Sequence, residues 1–202
     1  MAQEAPLMRR MFDMLAAGAG LVVLSPVALV TAVAVRLTTG RRVVFRQQRI
    51  GLGGQPFQIL KFRTMRDGHE DLPDRERCTR TGSFLRAVGL DEYPQLWNIL
   101  RGDMSVIGPR PTLPEQVERY DAAQHRRHTV RPGLTGWAQV NGRNSISWPE
   151  RIELDLFWID HRSLALDLRI LWLTVVRVLL PRDLYGDGGV NPDYPEARSG
   201  TA

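Results

Sequence analysis

Two carboxylates stand side by side in an otherwise mostly apolar stretch, Asp91 and Glu92 within VGLDEYPQLWN at 88–98. A carboxylate among apolar neighbours is costly unless it is paired, bound to a metal or reactive. Adjacent residues on a helix point about 100° apart, so the two acids cannot aim squarely at one atom. Different roles are expected of them. The cations that could face them are unusual in kind. Lys61 is the only lysine among 27 basic residues, which points to a need for a compact ammonium at that place or to chance retention on a surface. Arg86 lies five residues before Asp91, Arg110 is held between Pro109 and Pro111, and Arg143 follows an Asn141-Gly142 turn. Proline on both sides restricts the backbone and lowers the entropy cost of presenting the Arg110 guanidinium, whose fork matches phosphate oxygens in pairs. Fixed cations facing one or two carboxylates are what phosphoryl transfer requires, and a divalent metal bridging carboxylate and phosphates would complete the set.

Each motif also has a plainer reading. An Asp-Glu pair is commonly a helix start or surface face, Arg-Pro a loop element, and Asn-Gly a turn signal. His125-Arg126-Arg127-His128 has helical spacing for two metal ligands, but no third ligand accompanies it, and a solvated basic face is the expectation. His69 and His161 have no recognisable partners, and Asp103 after Gly102 suits a turn or cap as well as a ligand. The sequence carries no P-loop, dinucleotide fingerprint or zinc spacing.

The elements that must position these residues fit one domain of 202 residues with a formal charge of +5. Such a balance suits anionic partners, namely nucleic acid, phosphorylated metabolites or acidic lipid headgroups. Cys78 is the sole cysteine, so no intrachain disulfide exists and the working parts are expected in the cytosol. From Met14 to Val35 run 22 residues without a charge, flanked by arginines on both sides. That length suffices to cross about 30 Å of hydrocarbon. Ser25-Pro26 at its centre removes a helix hydrogen bond and predicts a kink, leaving two arms of roughly ten to twelve residues, about half the hydrocarbon thickness each. Ser25 can bond a carbonyl that Pro26 leaves free. The geometry suits a helix that enters and leaves by the same face; the flanking arginines favour keeping both ends cytoplasmic but are also compatible with a simple span, and a cleaved secretory signal is a third reading.

Downstream, VVFRQQRIG and FQILKFRTM alternate as the strands of a hairpin that carries Lys61 near its end. Residues 67–80 read as a solvated loop, 83–101 as helix with Gly89 as a break or cap, and 98–111 as turn-rich. A helix begins at Pro114. VRPGLTGWAQVNGRN places turn signals around a short apolar stretch. The segment 163–180 is apolar on most faces and suits either the membrane surface or a buried core. These elements divide into a membrane-associated region at 1–42, a region at 43–182 continuous with it that carries the candidate catalytic residues, and a flexible tail at 183–202.

Four stretches in order, SPVALV in the apolar segment, KFRTM at 61–65, LDEYPQLWNILRGDMSVIGPRP at 90–111 and RPGLTGWAQVNGRNSISW at 131–148, resemble the bacterial sugar transferases of the monotopic phosphoglycosyl transferase family, nearest its small PglC-like members. The resemblance covers roughly residues 9–180. It implies an α+β, predominantly helical monotopic membrane protein, with an N-terminal re-entrant helix hairpin broken at Ser25 and Pro26, amphipathic interfacial helices and short β elements. It implies transfer of a sugar 1-phosphate from a UDP-sugar to polyprenol phosphate with Mg2+, releasing UMP and initiating glycan assembly. Asp91 then attacks the sugar-proximal phosphorus and also touches the metal, Glu92 assists, and Lys61, Arg86, Arg110 and Arg143 handle phosphates or structure the site. An acyl phosphate is a good phosphoryl donor, so a carboxylate nucleophile is chemically sound. The stretch NGRNSISW tilts the sugar toward an N-acetylated hexosamine.

The same resemblance implies the bacterial inner membrane with the site on its cytoplasmic face, a lipid bilayer as partner, and no nucleic acid. Many relatives have serine and leucine where Gly89 and Tyr93 stand here, a departure that bears on local helix geometry. The chain is expected to be the minimal catalytic form of the family. The competing reading is a non-catalytic, membrane-anchored basic protein that binds acidic lipid or nucleic acid through many arginines.

Overall fold

The structure, a computed structural model, describes residues 7–66, 74–142 and 146–179. The apolar N-terminal segment forms two helices, α1 (Leu7–Val23) and α2 (Ser25–Thr39), bent by 64° at Leu24. The expected kink at Ser25-Pro26 is present. Pro26 has no N–H to give Val22, and the Ser25 hydroxyl donates to the Val22 carbonyl instead at 2.7 Å. No single described helix is long and apolar enough to cross a membrane, whereas the bent pair together meets that length and composition.

The arms are longer than the charge-free stretch implied, 17 and 15 residues, or about 25 and about 22 Å. Charges mark where a segment stops suiting lipid, and the helix continues past them because the protein satisfies them. Arg10 donates to the Ile99 and Leu100 carbonyls at 2.6 and 2.8 Å, Asp13 accepts from Ser105 Oγ and the Val106 N–H, and Arg9 pairs with Asp167. These bonds seat α1 on the rest of the molecule.

The hairpin follows as expected: β1 (Val44–Ile50) and β2 (Pro56–Phe62) are antiparallel, with Phe45 opposite Lys61 and Gln47 opposite Ile59. Residues 67–73 of the expected loop lie outside the described residues. Its remainder is ordered differently from the expectation: α3 (Asp74–Arg77) is a helical turn, and Cys78 bridges Met65. The helix expected over 83–101 is two helices, α4 (Arg80–Val88) and α5 (Gln95–Arg101), separated by Gly89 and a 3-10 turn at Leu90–Glu92. Gly89 takes φ 73, a left-handed conformation that a residue with a Cβ resists, and it ends α4 there.

Beyond α5, β3 (Ser105–Ile107) pairs in parallel with β4 (Gly133–Thr135), a ladder that turn signals alone did not reveal. It depends on close backbone approach: a Cβ on Gly133 would meet the Gly108 nitrogen at 2.1 Å. Between them, α6 (Pro114–Val117) starts at proline as expected and lasts one turn. Three helices complete the described chain, α7 (Trp137–Asn141), α8 (Trp148–Asp160) and α9 (Leu164–Leu179). A reciprocal capping box between Ser147 and Glu150 starts α8.

Three apolar clusters join these elements. Ala17 of α1 packs with Ile59 of β2, and with Leu96 and Ile99 of α5. Val35 of α2 meets Phe62 and Leu85. Ile170 of α9 meets Trp158, Ile107 and Val140. The segment read at 163–180 forms α9 with one buried and one exposed apolar face: Ile170 is fully buried, while Leu164, Leu168, Trp172 and Val175 are exposed. The outward faces of α1 and α2, from Met8 and Leu15 to Leu29 and Leu37, are likewise apolar and exposed. The fold is thus mostly helical α+β with short strands. Residues 180–202, the expected tail among them, lie outside the described residues.

Candidate active site

The turn at Leu90–Glu92 sits between the end of α4 and the start of α5, and it brings the paired carboxylates against β2. Glu92 is paired twice: Lys61 Nζ donates to its Oε1 at 2.8 Å and Arg110 Nη2 to the same oxygen at 3.1 Å. Burial pushes its carboxyl up, but Lys61 and Arg110 outweigh that and hold it well below the usual carboxylate range. Asp91 is buried, and no hydrogen bond reaches its carboxylate from any described residue. Desolvation and the Glu92 charge together push it up to about 6, against the partial opposition of Lys61, Arg110 and Arg86. Adjacent in sequence, the two acids have opposite electrostatic situations.

Each cation is delivered by a specific local device. Lys61 is presented by β2, and that strand is tied to α5 by Asn98, which accepts from the Leu60 N–H at 3.0 Å and donates to the Gln58 carbonyl at 2.8 Å and to Asp103 at 3.1 Å. Asp103 thus supports Asn98 from the turn that follows Gly102. Arg86 donates from Nε to Thr64 Oγ1 at 3.0 Å. Gly82 permits that approach, because a Cβ there would lie 2.1 Å from the Thr64 carbonyl oxygen.

Arg110 rides on a loop clamped at three successive carbonyls. Arg127 donates to the Arg110 carbonyl at 3.2 Å, Arg49 to that of Pro111 at 3.3 Å, and the Ile50 N–H to that of Thr112 at 2.9 Å. Arg143 lies outside the described residues.

Arg127 and His128 correct an expectation. Only half of the motif at 125–128 is a solvated face: His125 and Arg126 are exposed, whereas His128 is buried and Arg127 is buried and bound to Asp155 through Nε at 3.0 Å and Nη2 at 2.5 Å, and also donates to the Tyr120 hydroxyl. Burial and the Arg127 charge lower His128 to about 4, keeping it neutral. No group of three or more His, Cys, Asp or Glu among the described residues could hold a metal alone. Asn98, Arg49 and the Arg127–Asp155 pair were not singled out from sequence for this site. A buried polar residue within an apolar helical run, as Asn98 is in QLWNIL, was the available signal.

The carboxylates open onto a broad cleft lined by Arg42, Arg46, Arg49, Arg63, Arg86, Arg110 and Arg151, against which the acidic lining residues are Asp91, Glu92 and Asp155. Leu24, at the bend between α1 and α2, lines the same cleft. An arginine-rich cleft around one unpaired carboxylate suits a substrate with several phosphate charges. Asp91 also fits a hard divalent cation, since such ions take one or two carboxylates and complete their shell with substrate phosphates and water.

The comparisons agree with this chemistry. A sequence model of the family described as bacterial sugar transferase matches residues 4–181. An uncharacterized sugar transferase, EpsL of Bacillus subtilis, is 48% identical over 178 residues, covering 86% of this chain and 88% of that protein. The exopolysaccharide production protein ExoY of Rhizobium meliloti is 39% identical, with 88% of each chain covered. A UDP-glucose:undecaprenyl-phosphate glucose-1-phosphate transferase of Xanthomonas campestris is 43% identical over 86% of this chain and 39% of its own length. The chain belongs to the bacterial sugar transferase family.

Proposed function

We propose that this phosphoglycosyl transferase moves a sugar 1-phosphate from a UDP-sugar to polyprenol phosphate through a covalent Asp91 intermediate. The observation that carries the reading is the contrast in the site: Glu92 holds Lys61 and Arg110, while its neighbour Asp91 is buried, unpaired and at the edge of an arginine-lined cleft. An Asp91 oxygen attacks the sugar-proximal phosphorus, and the bond from that phosphorus to the bridging oxygen breaks, so UMP leaves with the oxygen and its electrons. A phosphate oxygen of the polyprenol phosphate then attacks the same phosphorus, and the acyl-phosphate bond breaks to regenerate the carboxylate.

Lys61, Arg86 and Arg110 bind and orient the phosphates, and most of the catalysis is positioning and charge neutralisation. Glu92 holds Lys61 and Arg110 in place and keeps Asp91 basic. Mg2+, held by Asp91 and the donor phosphates, would supply further neutralisation of phosphate charge. The bent α1–α2 pair dips into the cytoplasmic leaflet of the bacterial inner membrane, which lets the acceptor keep its tail in lipid while its phosphate reaches the cleft. The apolar outward faces of α1, α2 and α9 support that placement.

The donor sugar has two supported readings. Relatives from Xanthomonas and Escherichia coli are named as UDP-glucose enzymes, which favours glucose. The NGRNSISW stretch favours an N-acetylated hexosamine. Membranes with Mg2+, polyprenol phosphate and a panel of UDP-sugars should release UMP from one of these donors, and without acceptor the protein should gain the mass of a phosphosugar on Asp91. A folded Asp91→Asn protein that turned over at the wild-type rate would overturn the nucleophile assignment.

A further inference from the structure

The bend between α1 and α2 leaves carbonyls of the last turn of α1 without intrahelical donors. Leu24 and Ala28 still continue the helical pattern to the Gly20 and Leu24 carbonyls, at 3.0 and 2.8 Å. Of the intervening carbonyls, those of Leu21 and Val22 are served by side chains. Val22 receives the Ser25 hydroxyl from within the bend. Leu21 receives the Tyr93 hydroxyl at 2.8 Å, from a residue 72 positions away in sequence. Tyr93 is the residue directly after the Asp91-Glu92 pair and closes the turn that carries them, its N–H donating to the Leu90 carbonyl at 3.2 Å. Its ring stacks on Phe62, the neighbour of Lys61, with centroids 6.1 Å apart and planes within 3°. One side chain therefore touches the helix bend, the catalytic turn and the strand that presents Lys61.

We propose that Tyr93 is a positioning residue that locks the bend of the α1–α2 pair to the turn carrying Asp91, so that the bend angle and the placement of the nucleophile are set together. The hydroxyl is the informative atom. A phenyl ring could keep the stack on Phe62, but only the O–H donates to the Leu21 carbonyl. Without the hydroxyl the Leu21 carbonyl must find another donor. Ser25, the next residue able to give a helical N–H to it, is reached by closing the helix across the bend. Straightening at the bend would draw the segment away from Tyr93 and release the turn that carries Asp91. The bond is local to this chain's choice of tyrosine at position 93.

The reaction assayed rests on the function proposed above, whereas the bend itself can be read without any activity. The test uses the full chain with Cys78→Ser, spin-labelled at Met8→Cys and Leu37→Cys on the exposed far ends of the two helices, in phosphatidylcholine–phosphatidylglycerol nanodiscs. Electron-electron distance measurements are compared with and without Tyr93→Phe, alongside the rate of UMP release. The expectation is a shifted or broadened distance distribution in Tyr93→Phe together with a fall in kcat of about fivefold or more, and a KM for the UDP-sugar within about twofold of the parent.

Three outcomes would each overturn the coupling: distances and kcat both unchanged, distances altered at full kcat, or kcat lowered with superimposable distances. Absence of UMP release from the parent itself would instead indict the proposed reaction, while the distance comparison would still decide whether Tyr93 sets the bend.

Discussion

Two clusters in this molecule are built from the same residue types and behave differently. In one, Arg127 and Asp155 are both almost fully buried, and their contacts include the Tyr120 hydroxyl and the Arg110 carbonyl. In the other, Lys61, Arg110 and Glu92 form a similar ion-paired set, but Asp91 beside them has no partner among the described residues. The first cluster has the geometry of a support and the second that of a site. The difference lies in whether a desolvated charge is satisfied, since an unsatisfied one keeps its reactivity and a satisfied one contributes shape.

The largest effect should come from removing the unsatisfied group. Asp91→Asn is expected to lower UMP release by about a thousandfold or more. Its melting temperature in detergent should equal or exceed that of the wild type. The sign follows from the raised pKa: the folded protein binds the Asp91 proton more tightly than the unfolded chain, so this group favours the fold at low pH and loses that contribution as pH rises through about 6. The melting advantage of Asp91→Asn should therefore grow between acidic and neutral pH.

In the support cluster the same kind of change should damage stability first. Arg127→Met leaves Asp155 buried and unpaired, at a cost of about 3 to 5 kcal/mol, measured by thermal or denaturant unfolding. The double variant Arg127→Met, Asp155→Leu should recover most of that stability while UMP release stays depressed, because the Arg110 carbonyl has lost its donor.

Glu92→Gln sits between the two regimes. It frees Lys61 and Arg110 and removes the neighbouring negative charge from Asp91, so the Asp91 carboxyl should become more acidic. The acid limb of the pH profile for kcat/KM, expected near 6 in the wild type, should move down, with the plateau lowered roughly 10- to 100-fold. A limb that moved upward would contradict the assigned electrostatics. The smallest effect belongs to a pair that is neither buried nor near the site. Arg126 and Asp160 each expose nearly half of their side chain, at 48% and 44%, and Asp160→Asn should change stability by less than about 0.5 kcal/mol.

Much of the site was legible because its residues lie in short motifs with strong local constraints. The prolines around Arg110, the glycine before Leu90, the hairpin with Lys61 near its end and the Ser25-Pro26 bend all act over a few residues, and all appear where local rules put them. The paired charges at 91 and 92 were visible as an anomaly of composition. What local rules missed was long-range. The basic motif at 125–128 reads as a solvated face until α8, started by its Ser147–Glu150 capping box, brings Asp155 to Arg127. The parallel pairing of β3 with β4 joins segments with about 25 residues between them and rests on glycines that read locally as turns.

By itself the sequence determined the kinds of chemistry available: one lysine among arginines, an acidic pair in apolar company, a proline-broken apolar segment and the motifs of a sugar transferase. Tertiary structure decided which carboxylate is paired. Glu92 receives Lys61 and Arg110 only because β2 and the loop clamped by Arg49 and Arg127 converge on the turn at 90–92. Partnering is a property of distance between elements remote in the chain, and so is the desolvation that raises Asp91. Two adjacent acids with the same intrinsic chemistry therefore acquire opposite electrostatic situations only once the chain is folded.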